Sequence, residues 1–223
     1  MASFAWLAFA YKANHQNKKA WIWILLACSF HTIGFAFLLI FLIIDKKFSK
    51  GLIVILLTTS LVLFALRFGT RIIEMFPVLT VIDRVQTYVD MDRNANYGLT
   101  IGMVFNIGLF VLSSIIFRKE YENNTYLRVW LNALLLSIVL GLVLNVFDTI
   151  VARINQPLNM SLMFLWPYVL YRIKNRPLHF AIACLLVVYM SLYYYKSWSI
   201  EREDGQTPML PYQIELSQMF EYQ

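Results

Sequence analysis

AWIWILLACSFHTIGFAFLLIFLIIDKKFSK, residues 20–50, is the stretch whose reading decides the fold. From Ala20 to Ile44 it carries no formal charge, and His31 is its one ionisable group. Lys18 and Lys19 precede the run; Lys46, Lys47 and Lys50 follow it. At about 1.5 Å per residue, an unbroken helix of this length crosses an apolar bilayer core of about 30 Å. An ionisable side chain inside such a run marks function by default. The competing reading is that neutral His31 only bonds a carbonyl across a helix interface.

Working outward, the whole chain shares this character. Its 223 residues are 60% apolar and 14% charged, with mean hydropathy +0.61. Soluble domains carry about 25% charged residues, so the composition is that of an integral membrane protein. Net charge is +6, which in a soluble protein would suggest nucleic acid. Here the basic residues sit in short turns between apolar runs, the pattern of cytoplasmic loops, and no nucleic-acid partner is expected. Cys28 and Cys184 both fall in apolar runs and read as small core residues. Metal-ligand spacings and a glycine-rich phosphate loop are both missing, so no metal and no cofactor is expected.

Further apolar runs lie at about 51–66, 99–117, 128–147, 157–171 and 178–195. The opening MASFAWLAFAY is too short to cross, at about 16 Å as helix. It reads as the lower half of a helix whose start is missing. The expected fold is all-α: a polytopic transmembrane bundle of about six or seven spans. It forms one domain, 1–223, incomplete at its N-terminus. Residues 67–98 carry four arginines and four acids, with apolar residues at three- and four-residue steps. That pattern predicts amphipathic helices on the membrane surface, broken at Pro77. The tail 196–223 is polar and acidic. Asn106, Asn132 and Asn145 lie in or near spans and are expected to bond between helices. Tyr193–Tyr195 with Trp198 reads as an interfacial aromatic belt.

Charge sets the orientation. Turns 45–50, 118–128 and 172–176 hold three Lys/Arg each and should be cytoplasmic. Loops 67–98, 148–156 and the tail should then lie outside. A single crossing by 20–44 would leave Lys12, Lys18 and Lys19 on the outside, against the rule. A break near Ser29–Gly34 would return both lysine clusters to one side and set His31 at the bend. Irregular backbone at that depth requires a protein-lined cavity.

Four stretches stand in order along the chain: LLACSFHTIGFAFLL (25–39), RVQTYVDMDRNANYGLTIG (84–102), VARINQPLNMSLMFLWPYVL (151–170) and LPY (210–212). Together they resemble the EpsG family of polysaccharide polymerases, relatives of the Wzy polymerases. The chain departs from that family in two ways. Thr-Ile-Gly follows His31 where members often have Ser-Ala, and the Arg-Gln pair that commonly opens the first matching helix is missing. Members are usually longer, so the resemblance covers their C-terminal part.

The resemblance implies a C-superfamily (GT-C type) glycosyltransferase of the bacterial cytoplasmic membrane, multi-pass. It would join polyprenyl-diphosphate-linked oligosaccharides at the outer face, for exopolysaccharide, capsule or O-antigen. A flippase and a chain-length regulator are the implied partners beside the bilayer. Such chemistry needs a base for the acceptor hydroxyl and fixed cations for the diphosphate leaving group. His31 is the candidate base, since an unperturbed imidazole titrates near ~6.5. Arg153 is the candidate diphosphate clamp, because guanidinium grips phosphate oxygens bidentately. Arg84 and Arg93 are candidates for diphosphate or sugar, and Asp83, Asp90 and Asp92 for sugar hydroxyls or as an alternative base. Two other functions fit the same residues: a transporter or flippase component for lipid-linked sugars, and a membrane acyltransferase acting on polysaccharide. The missing internal repeat counts against the transporter.

Overall fold

The structure, a computed structural model, describes residues 2–30, 34–68, 71, 99–144 and 148–199. Every regular element among them is α-helical. Two units form: one up to Val169, the other from Leu170 onward.

The first unit opens with three short helices, α1 (Ala2–Ala13), α2 (Asn17–Phe30) and α3 (Gly34–Ile43). His15 adopts φ 59° in the turn between α1 and α2. This left-handed conformation reverses the chain within three residues, and its N–H bonds Lys12 O at 3.0 Å. Phe4 stacks against Phe30 and Tyr11 against Trp23, so α1 and α2 run antiparallel. Trp21 meets Phe41 edge-on at 4.9 Å while Gly34 lies against Ala27, so α2 and α3 are antiparallel too. The uncharged run of 20–44 is therefore not one crossing helix. It is a hairpin of about 21 Å and about 15 Å arms, and the chain reverses between Phe30 and Gly34. The break near Ser29–Gly34 is the alternative the structure selects.

Small residues make the hairpin possible. Ala20, Ile24 and Ala27 fall at four- and three-residue steps and are fully buried on one face of α2. Gly34 faces them. A Cβ there would sit 2.5 Å from Ala27 O and 2.6 Å from Cys28 Cα. Those are backbone atoms and cannot swing aside. Gly34→Val is expected to cost about 1–3 kcal/mol or more through overpacking. It should lower the melting temperature in detergent, whereas Gly51→Ala, facing open space, should not. An unchanged melting temperature for Gly34→Val would contradict the close approach.

The remaining helices of this unit assemble on one pillar. They are α4 (Lys50–Ala65), α5 (Ile101–Ile116), the single turn α6 (Glu120–Asn123), α7 (Thr125–Val143), α8 (Asp148–Asn159) and α9 (Leu162–Arg172). Polar caps start three of them. Ser49, Thr100 and Asn124 each accept the backbone N–H three residues on, at 3.2 Å, satisfying an orphan donor. α7 is the pillar: it is largely buried and touches α1, α4, α5, α6 and α8. α8 runs antiparallel to it, with Ser137 Oγ donating to Asn159 Oδ1 at 2.7 Å. α9 continues that line after a break at Met160–Ser161, with Phe164 stacked on Trp130 at 4.6 Å.

The described residues do not confirm six or seven full-length spans. Among the described residues, α7 alone is both long and apolar enough to cross a membrane. The run 157–171 is divided by the α8–α9 break, and the caps at Ser49 and Thr100 hold α4 and α5 to 16 residues each. The outward faces remain strongly apolar. Ile22, Leu25, Phe35, Leu39, Val54, Ile101 and Ile115 are all exposed. A belt of this extent is foreign to a soluble monomer and suits lipid.

The second unit holds the end of α9 and α10 (Arg176–Ser199). Asn175 Oδ1 caps α10 by accepting Leu178 N–H at 3.2 Å. The apolar part of α10 is Arg176–Leu192. The amphipathic helices expected in 67–98, the tail from 200 and Asn145 lie outside the described residues. So do the side chains of the Tyr193–Trp198 belt.

Candidate functional site

At its N-terminal end α7 carries a dense polar cluster. Arg128 and Asn132 stand four residues apart on one buried face. Both point at the end of α3, whose last carbonyls have no partner within the helix. Asn132 Nδ2 donates to Ile44 O at 2.7 Å and to Lys46 O at 2.8 Å. Arg128 Nε donates to Asp45 O at 2.7 Å. Its other nitrogens bind Glu122 O at 3.1 Å and Thr125 Oγ1 at 3.1 Å. From α1, Lys12 Nζ bonds Phe41 O, lies over the Phe41 ring and pairs with Asp45 Oδ1 at 3.1 Å.

Two buried cations thus sit at the C-terminus of α3, where the helix dipole is negative. Tyr121 closes the cluster. Its hydroxyl accepts Phe48 N–H at 3.1 Å and donates to Asn132 Oδ1 at 2.8 Å. Burial pushes the Tyr121 phenol above its ordinary range, which keeps the donating proton in place. Each group here is consumed by another. The cluster locks 41–48 to α1, α6 and α7, and its chemistry is structural.

The hairpin places Lys12, Asp45, Lys46 and Arg128 at one end of the first unit. The opposite end of α7 is different. Gly141 lies beside the Asn155 side chain, where a Cβ would stand 3.3 Å from Nδ2. Arg153, half a turn before Asn155, is therefore near the last turn of α7. Val151, Ile154 and Leu158 bury one face of α8, and Arg153 and Gln156 are exposed on the other. Asn155 Oδ1 is buried with no hydrogen-bond partner among the described residues. The accessible Arg153 guanidinium can bind an anionic ligand.

Arg153 is the candidate that the structure describes. His31, Asp83, Arg84, Asp90, Asp92 and Arg93 lie outside the described residues. No group of three or more metal-ligating side chains occurs among the described residues. Asn132 bonds between helices, as its position in an apolar run suggests. Lys12, Asp45, Tyr121 and Arg128 escaped the sequence reading. The findable signal was Arg128 at helical spacing from Asn132. Lys12 and Asp45 lie 33 positions apart and meet only through the hairpin.

Among known proteins, residues 1–214 match the EpsG family. No curated protein and no solved structure matches the chain. With a match over essentially its whole length, this membrane chain belongs to the EpsG family, a family of Wzy-like polymerases of polysaccharide biosynthesis.

Proposed function

We propose that the chain polymerises lipid-linked oligosaccharide repeats by glycosyl transfer from a polyprenyl-diphosphate donor at the outer face of the cytoplasmic membrane. The family match gives the polymerase class. The observation that carries the finer reading is the antiparallel α2–α3 hairpin. It returns every lysine of 12–19 and 45–50 to one end, which removes the conflict with the charge rule. That end is then cytoplasmic, and the Phe30–Gly34 reversal and Arg153 point outward. In this reading His31 takes the acceptor hydroxyl's proton as the oxygen attacks the anomeric carbon. Arg153 holds the departing diphosphate, joined by Arg84 and Arg93. Asp83, Asp90 and Asp92 orient the sugars. The chain is multi-pass.

Cysteine labelling tests the orientation. An impermeant reagent added outside should mark Asn96→Cys and spare Gln16→Cys and Asn123→Cys. Labelling of Gln16→Cys with sparing of Asn96→Cys would reverse the placement. The function is tested by polymer length in a deletion strain. Complementation with this chain, or with an N-terminally extended form of it, should restore a long-chain ladder. Restoration of single-repeat product alone would contradict the polymerase.

A further inference from the structure

A second site lies at the lysine-rich end, away from Arg153. A cleft of about 650 Å³ opens between the start of α4, the end of α5 and the start of α7. Its rim carries Lys47, Lys50 and Arg118, all exposed. Glu122 is the one acid on that rim. Among the described residues, no ion pair joins a carboxylate to any of the three cations. Three positive charges against one negative leave the mouth electropositive. Below the rim the cleft turns apolar, walled by Ile53, Phe110 and Leu131. Lys47 and Lys50 emerge from a turn that the Tyr121–Asn132 cluster holds in place through Phe48 N–H. The cations are therefore presented by an ordered backbone.

A charged mouth over an apolar wall matches a molecule with an anionic head and a hydrocarbon tail. We infer that this cleft binds one anionic glycerophospholipid, its phosphate on Lys47, Lys50 and Arg118 and an acyl chain along Ile53, Phe110 and Leu131. Basic pockets between membrane helices recognise such headgroups, and each nearby Lys or Arg contributes about fivefold in affinity. The site requires that the chain sit in a bilayer. It does not require polymerase chemistry, nor does it use any residue assigned to that reaction. Bound there, the lipid would brace the α4–α5–α7 junction.

The test is native mass spectrometry of the full chain in neutral detergent. Dioleoyl phosphatidylglycerol and dioleoyl phosphatidylcholine are titrated in parallel. One phosphatidylglycerol per chain should be retained, at least about tenfold more tightly than phosphatidylcholine. Lys47→Gln, Lys50→Gln and Arg118→Gln combined should bring the two lipids level. Lys18→Gln, Lys19→Gln and Lys174→Gln combined remove equal charge elsewhere and should change nothing. Equal retention of both lipids by the unmodified chain would overturn the site, as would equal loss in both triple variants. Glycerol 3-phosphate binding as tightly as the lipid would show a free-phosphate site instead. Preferential retention of undecaprenyl phosphate would show a substrate site. Should the triple variant fail to fold, Arg118→Gln alone carries the test. About a fivefold loss supports the site, and no loss overturns it.

Discussion

His31→Gln is expected to lower chain extension by about 10²–10⁴ while leaving the protein in the membrane at normal abundance. Glutamine keeps the side chain's hydrogen bonding and much of its length but has no usable basicity. A packing role predicts the opposite: near-normal polymer, or a loss that tracks abundance. Polymer of normal length and amount from His31→Gln would move the base to Asp83, Asp90 or Asp92.

Arg153→Ala is expected to cost about 10²–10³ in rate, the scale for losing one donor to a developing anion. Arg153→Lys keeps the charge but loses the planar fork, so it should recover only part of that rate. The side chain is exposed on α8, opposite the buried Val151 and Ile154. Folding should therefore tolerate both variants, and their melting temperatures should match the unmodified protein. An arginine that merely reaches for lipid headgroups would give full activity with lysine. Equal activity of Arg153→Lys and the unmodified chain would remove it from the site.

The helical class was open to reading because apolar runs are local signals. Ser49, Thr100 and Asn124 each stand where a cap is needed, and each caps. The hairpin was legible only as an alternative. Nothing local distinguishes one helix of 25 uncharged residues from two packed arms. The choice falls to tertiary terms, chiefly the approach of Gly34 to Ala27 and the capping of α3 by Lys12, Arg128 and Asn132. The α8–α9 break was hidden for a related reason. Pro157 and Pro167 lie inside the two helices, and the chain breaks between them, at Met160–Ser161. Arg153 was singled out by its chemistry alone, and its place near the end of α7 needed the antiparallel packing of α8.

The central claim is that this chain makes glycosidic bonds rather than moving lipid-linked sugars. It is tested most directly by reconstituting the purified full chain in liposomes with polyprenyl-diphosphate-linked repeat units and resolving the products by length. The account expects a ladder of multiples of the repeat, with free polyprenyl diphosphate released in step with each new bond. Repeats that cross the bilayer but stay single, with no diphosphate released, would contradict it.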